Sequence, residues 1–232
     1  MDKNNEMQKL EKIIDELIIN RTIPESYPDV FDYRKNLGKE YFSYDFKNID
    51  RLYQLRDIMI KYNGFSLVSY DWVRLLKDLI IKDGKCLEIM CGTGMLSKAL
   101  QDVGVAVIAT DNNSWAKDEF IDNNWIEKPF TQIEEIDCIE AIKKYGKEID
   151  FVLVSWAYMD DTCYRALITM REVNPDCKMI FIGEYGDACA NDDFVYNAIR
   201  LNNTTEYKDA MGKINNKFLS WNGIHDRVYI VK

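Results

Sequence analysis

The stretch Lys85-Cys86-Leu87-Glu88-Ile89-Met90-Cys91-Gly92-Thr93-Gly94-Met95-Leu96-Ser97-Lys98-Ala99-Leu100 places an acidic side chain at the end of an apolar run, then two glycines, then a helix-forming segment. Gly92 and Gly94 remove side chains where a backbone must turn sharply and pass near a ligand. The helix start beyond them presents unpaired N–H groups and a positive dipole end, which suits an anionic group. A second apolar run, Val105-Ala106-Val107-Ile108-Ala109-Thr110, ends in Asp111, whose carboxylate can accept from both hydroxyls of a ribose. Strand, turn, helix, strand and acid in this order have the spacing of a nucleoside-binding βαβ unit. Glu88 separates two ligand classes. It stands beside the turn, where a dinucleotide places its pyrophosphate, and like charges at that range repel. A ligand with a positive amino or sulfonium group is attracted instead.

These positions resemble the first motif of the Rossmann-like (class I), S-adenosylmethionine-dependent methyltransferases, acidic-x-Gly-x-Gly-x-Gly, read here as Glu88-Ile89-Met90-Cys91-Gly92-Thr93-Gly94. The resemblance covers roughly residues 68 to 232. One departure is Met90 at the first glycine position, which adds bulk near the methionine part of the cofactor. The resemblance implies S-adenosyl-L-methionine as cofactor, with Glu88, Cys91, Gly92, Gly94, Asp111 and Asn112 as candidate contacts. In similar methyltransferases an acidic residue followed by a small one, after the third strand, reads the adenine. Asp137 and Cys138 stand there, although Asp137 equally suits the N-cap of a helix from Ile139 to Tyr145. The loop Ser155-Trp156-Ala157-Tyr158-Met159-Asp160-Asp161 corresponds to one that faces both cofactor and substrate in many members. Ser155 is a candidate for the cofactor's amino-acid end. Trp156 or Tyr158 can stack on adenine or on a flat substrate, with a plain core role left open for Trp156. The Asn/Asp-Pro-Pro-Tyr pattern of members acting on amino groups is absent.

The elements that must position these groups read as alternating strand and helix. Strands are expected near 85–90, 105–110, 150–155 and 178–183, with a weaker one near 130–134. Continuous apolar runs of this kind suit a sheet covered on both faces. Lys217-Phe218-Leu219-Ser220-Trp221, then Asn222-Gly223, then Arg227-Val228-Tyr229-Ile230-Val231 reads as a hairpin, and the resembled family ends its sheet in one. The expected fold class is therefore α/β: a doubly wound, mostly parallel, Rossmann-like sheet of about seven strands with a C-terminal antiparallel hairpin and a helical N-terminal extension. Helical spacing marks residues 5–20, 49–60 and 70–81, the last with Ser69 as its cap. Residues 1–68 read as that extension, and 69–232 as the cofactor-binding domain. The aromatic-rich part of the extension (Tyr27, Phe31, Tyr33, Tyr41, Phe42, Tyr44, Phe46) is either a lid over a small substrate or ordinary packing.

For chemistry beyond binding, Glu184 leaves a buried strand between glycines, where burial can raise a carboxyl toward a general base. It reads equally as a solvated acid or an ion-pair partner. His225, the single histidine, is the usual acid/base type at neutral pH, or else a structural group. Tyr158 completes the catalytic candidates. The chain of 232 residues carries a net charge of -9, which argues against phosphate-backbone binding and nucleic-acid partners. Six cysteines without a C-x-x-C pair, together with one histidine, give no metal-site spacing. They suit a reducing, cytoplasmic compartment. No apolar run reaches membrane-spanning length. The leading expectation is methyl transfer to a small-molecule acceptor. A protein that binds the cofactor without turnover is the alternative suggested by Met90. An NAD-dependent oxidoreductase is a further one, since Gly92-x-Gly94-x-x-Ser97 nears the dinucleotide fingerprint. Neither the acceptor nor the oligomeric state is readable.

Overall fold

The computed structural model describes residues 3–28, 46–80, 84–117, 122, 124–186 and 188–232. Among the described residues three helices come first: α1 (Lys3–Asn20), α2 (Phe46–Tyr62) and α3 (Tyr70–Leu79). Then follow β1 (Lys85–Glu88), α4 (Met95–Asp102), β2 (Ala106–Asp111), a 3-10 turn (Ser114–Lys117), α5 (Asn124–Glu127), β3 (Glu134–Glu135), α6 (Cys138–Tyr145), β4 (Phe151–Ser155), α7 (Thr162–Val173), β5 (Lys178–Gly183), α8 (Asp192–Asn197), α9 (Lys208–Lys217) and β6 (Arg227–Val231). The sheet order is β3-β2-β1-β4-β5-β6, all parallel except β6, which is antiparallel to β5. The chain winds outward in both directions from β1, so the fold is the doubly wound α/β class, with a switch point between β1 and β4.

The period of two along each strand splits the core into two layers. Cys86, Phe151, Leu153, Ile180, Ile182, Val228 and Ile230 face one side. Leu87, Val152, Val154, Met179 and Phe181 face the other. On the first side lie α3, α4 and α9, joined by the N-terminal helices: Leu10, Ile14 and Leu17 of α1, with Leu55 and Met59 of α2, belong to the same buried cluster as Trp72 and Leu76. Their i, i+4, i+7 spacing is the reason both segments are helical. On the second side lie α6, α7 and α8, through Ala141, Ala166, Leu167 and Phe194. Ser69 stands at the N-cap of α3, but its hydroxyl donates to the Asp71 carboxylate at 2.6 Å instead of accepting a backbone N–H. A charged acceptor outcompetes the cap. Of the aromatic segment read as lid or packing, Phe31, Tyr33, Tyr41, Phe42 and Tyr44, with the side chain of Phe46, lie outside the described residues. Tyr27 is buried against the first core cluster.

The sheet ends in an antiparallel pair as expected, but the pair is β5 with β6 and not a hairpin of 217–221 with 227–231. The described sheet has six strands, and Phe218–Trp221 is not one of them. Asn222-Gly223 does form a turn, closed by Ile224 N–H donating to the Trp221 carbonyl at 3.0 Å. Its upstream arm buries Phe218, Leu219 and Trp221 in near succession, which an alternating strand with one exposed edge cannot do. The outer edge of β6 is closed otherwise. Leu201 N–H donates to the Ile230 carbonyl at 2.8 Å, and Ile199 and Lys232 exchange a pair of backbone bonds. Asn202 accepts from Ile230 N–H at 2.9 Å. Asn215 accepts from Val228 N–H at 2.9 Å and donates to the Val228 carbonyl at 2.9 Å. One side-chain amide thus replaces a neighbouring peptide group. Among the described residues no helix is long and apolar enough to cross a membrane.

Asn215→Ala is expected to leave the buried Val228 N–H unsatisfied and to cost about 2 kcal/mol in urea unfolding. Asn215→Asp keeps the acceptor and is expected to cost less.

Candidate functional site

A cavity of about 480 Å³ opens at the carboxyl ends of β1, β2 and β4, the place where an open parallel sheet binds ligands. Its floor is the turn after β1. Asp111 Oδ2 accepts from Gly92 N–H at 2.7 Å. Its Oδ1 accepts from Asn113 N–H at 2.7 Å and from the Trp115 indole at 3.0 Å. The side chain is buried, and burial raises its pKa against the pull of these donors. The Asn112 backbone N–H adds to the same pull. Glu88 is buried as well. Ser97 N–H donates to Oε2 at 2.9 Å, and Ser97 Oγ donates to the same oxygen. That ties the end of β1 to the first turn of α4. Burial pushes the Glu88 pKa up to about 7, with a contribution from the Asp111 charge and against the Ser97 bonds.

The departure at position 90 has a conformational side. Met90 has φ 54°, in the left-handed region where a glycine is favoured. The backbone of the glycine motif is therefore kept, and the strain is carried by a residue that also lines the cavity. Gly92, at φ 55°, serves a packing need. A Cβ there would meet the Trp125 ring at 2.7 Å. The missing side chain admits the protein's own indole, which also stacks obliquely on Trp115 with centroids 4.9 Å apart. At Gly94 the same test meets Thr131 at 3.0 Å. Both glycines let the turn pack closely on the chain, and Trp125 in turn forms part of the cavity wall.

The opposite wall comes from the segment between α2 and α3. Asn63 anchors it: its carbonyl accepts from Thr93 Oγ1 at 2.5 Å, and its amide oxygen accepts from Arg21. Arg21 also donates to the Tyr62 carbonyl at 3.0 Å, and the Trp125 indole donates to the Lys61 carbonyl at 3.0 Å. The last carbonyls of α2 are thus satisfied by the turn region they dock on. Beyond Asn63, Phe65 stacks on Trp156 (centroids 5.4 Å apart, planes 17° apart), and the hydroxyls of Ser66 and Ser155 share a hydrogen bond of 2.9 Å. Trp156 has φ 54° and donates from its indole to Asp226 at 3.0 Å. It is neither a fully buried core group nor a free platform: one bond and one stack fix its plane at the cavity edge.

Of the residues singled out in the sequence, Glu88, Cys91, Gly92, Asp111, Asn112, Asp137, Cys138, Ser155, Trp156 and Tyr158 line this one cavity. Gly94 is not in the lining; it is the N-cap residue of α4. Asp137 also caps α6, accepting from Ile139 N–H at 2.9 Å. Cys138 is buried, and burial pushes its thiol up to about 12. Tyr158 is half exposed at the mouth. Glu184 and His225 are not among the lining residues. The Glu184 carboxylate accepts the His225 backbone N–H, so the two pin the loop before β6 to the end of β5. Sequence reasoning missed Asn63, Phe65, Ser66, Trp115 and Trp125. Nothing local to Asn63 connects it to a turn some 30 residues away. The lining includes the acids Glu88, Asp111, Asp137 and Asp160 and, among the described residues, no Lys, Arg or His.

No protein-family model matches this chain, and no curated protein does. Solved structures do match, and many are S-adenosylmethionine-dependent methyltransferases. A TehB-like S-adenosylmethionine-dependent methyltransferase from Corynebacterium glutamicum is 13% identical, over 81% of this chain and 99% of that one, with a TM-score of 0.42. TehB from Haemophilus influenzae is 17% identical over 76% of this chain and 66% of its own, with a TM-score of 0.41. The mitomycin 7-O-methyltransferase MmcR is 13% identical over 98% and 67%, with a TM-score of 0.43. The first two structures matched are spanned over only 46% and 48% of their own length.

Met90→Gly is expected to be more stable than Met90→Ala by about 1 kcal/mol in chemical unfolding, the reverse of the usual order, because only glycine relieves the positive φ. Glu88 has its carboxyl held at about 7 in the fold, against about 4.3 in an unfolded chain. A raised acid pKa means that stability is fullest below the unfolded value and falls as pH rises through 7. Glu88→Gln removes that loss. Its thermal midpoint relative to the parent is expected to be higher at pH 8 than at pH 4, by roughly 3 kcal/mol of stability.

Proposed function

We propose that this chain binds S-adenosyl-L-methionine in the cavity at the ends of β1, β2 and β4 and transfers its methyl group to a small-molecule acceptor. The observation that carries this reading is the charge of the lining: four carboxyl groups and, among the described residues, no cationic side chain, around a turn that follows a parallel strand. These acceptors fit the ammonium and the sulfonium of the cofactor. It opposes a pyrophosphate, so the nicotinamide dinucleotide reading loses ground. Trp125 packed onto Gly92 argues the same way, since it takes the close approach that a phosphate needs.

In this reading Glu88 and Ser155 hold the amino-acid end. Asp111 accepts from a ribose hydroxyl, while Asp137 and the backbone at Cys138 read an adenine edge. When bound, the cofactor supplies an electrophilic methyl carbon. Alignment is then the main task of the protein. Phe65, Trp156 and Tyr158 exclude water and orient a flat acceptor at the open side. The acceptor loses its proton to solvent or to a group it carries; Glu184 and His225, tied to each other, are assigned a structural role here.

Calorimetry with S-adenosylhomocysteine and with NAD tests this directly. Binding of the first and not of the second is expected. Because a cation beside Glu88 favours its ionised form, affinity is expected to rise between about pH 6 and pH 7.5. Glu88→Gln is expected to abolish that rise and to weaken binding about tenfold. Equal binding of NAD, or none of either, overturns the reading.

A further inference from the structure

The cavity has a second half that the cofactor contacts proposed above do not use. It is bounded by Phe65 and Val68 from the segment between α2 and α3, and by Trp156, Tyr158, Met159 and Asp160 from the β4–α7 loop. Its walls are aromatic or apolar. Phe65 and Trp156 are held nearly parallel, and the Ser66–Ser155 bond fastens the two segments beside them. Tyr158 and Met159 stand next to each other at the rim with 51% and 66% of their surface exposed, so they extend the apolar wall to the opening. Asp160 is the charged group of this half. Its Oδ1 accepts from Thr162 N–H at 3.0 Å at the start of α7, which fixes the carboxylate. The nearest cation on this stretch, Arg165, pairs with the neighbouring Asp161 at 3.9 Å and not with Asp160.

We infer that this half of the cavity takes a planar aromatic acceptor that carries a positive charge. The inference rests on the methyltransferase reading and adds the substrate class to it. Flat walls select a ring, because offset stacking and edge contacts on Trp and Tyr reward planarity. The same electron-rich faces attract a cation. The sign of charge is set by the whole lining. With Glu88, Asp111, Asp137 and Asp160 around it and no basic side chain among the described lining residues, the potential inside is negative, and an anionic acceptor meets repulsion on entry. The positive group is a handle for Asp160 and the aromatic rim, separate from the atom that receives the methyl group. A neutral acceptor atom elsewhere on the ring keeps its lone pair.

The test uses three matched probes on the full-length protein saturated with S-adenosylhomocysteine: naphthylmethylammonium, naphthylmethanol and naphthoate. Their binding is read by ligand-observed NMR titration, and homocysteine-ligand affinity is measured separately by calorimetry. The ammonium is expected to bind about tenfold tighter than the carboxylate, with the alcohol between them, and the gap to shrink as salt is raised. Asp160→Asn keeps the acceptor for Thr162 N–H and is expected to remove most of the gap between ammonium and alcohol. Tyr158→Ala, at an exposed position, is expected to weaken all three alike. The inference is overturned if the carboxylate binds as well as the ammonium, if Asp160→Asn leaves the order and spacing unchanged, or if none of the three binds while S-adenosylhomocysteine does. Failure of S-adenosylhomocysteine itself to bind removes the methyltransferase reading and this inference with it.

Discussion

Everything at the ligand end of the sheet depends on the Asp111 carboxylate. It takes the Gly92 N–H from the turn after β1, the Asn113 N–H from its own turn, and the Trp115 indole. Three donors converge on one buried anion, and each would be costly to leave unmet. The turn after β1 is thereby fixed against the end of β2, and Trp115 in turn supports Trp125, which covers Gly92. The ionised form is stabilised by the donors and opposed by burial, and the balance raises the pKa. A second buried acid does similar work one strand away, where Glu88 holds the start of α4 through Ser97. The two charges lie close enough to raise the pKa of Glu88. In the proposed reading a cationic ligand relieves that repulsion.

The helices before β1 are part of this arrangement. Asn63 and the C-terminal carbonyls of α2 accept from Thr93, Arg21 and Trp125. The segment that follows supplies Phe65, Ser66 and Val68 to the cavity. A helix end that cannot satisfy its own carbonyls has been docked where donors are available, and the docking places an aromatic ring over the β4 loop. Stability and site construction use the same bonds.

Much of the strand and helix layout was readable because continuous apolar runs and 3.6-residue spacing are local signals. Cys86 and Leu87 read as one buried strand and indeed face opposite core layers. Asp137 was read with two roles, a helix cap and an adenine reader; the cap is present, and the residue also lines the cavity. The misses are non-local. The weaker strand sits at Glu134–Glu135, where pairing with Thr110 and Asp111 fixes it and its own polar residues do not. The Asn-Gly turn was real, but Phe218 to Trp221 went into the core and left no partner strand. No propensity identifies Asn202 and Asn215 as substitutes for a peptide group, because the role exists only once β6 is in place. The bond from the His225 backbone N–H to the Glu184 carboxylate, which spans 41 positions, cannot be seen in either segment alone.

The two asparagines along β6 have a consequence for behaviour at high concentration. An outermost strand normally offers unpaired donors and acceptors to any extended segment that comes near. Here the Val228 and Ile230 groups that point outward are already occupied, by the side-chain amides of Asn202 and Asn215 and, at the Ile230 carbonyl, by the Leu201 backbone N–H. Another copy of the chain, or a nascent polypeptide, finds no template on that margin. Self-association through growth of the sheet is therefore blocked on this side by the segment 199–202 and by Asn215 at the end of α9.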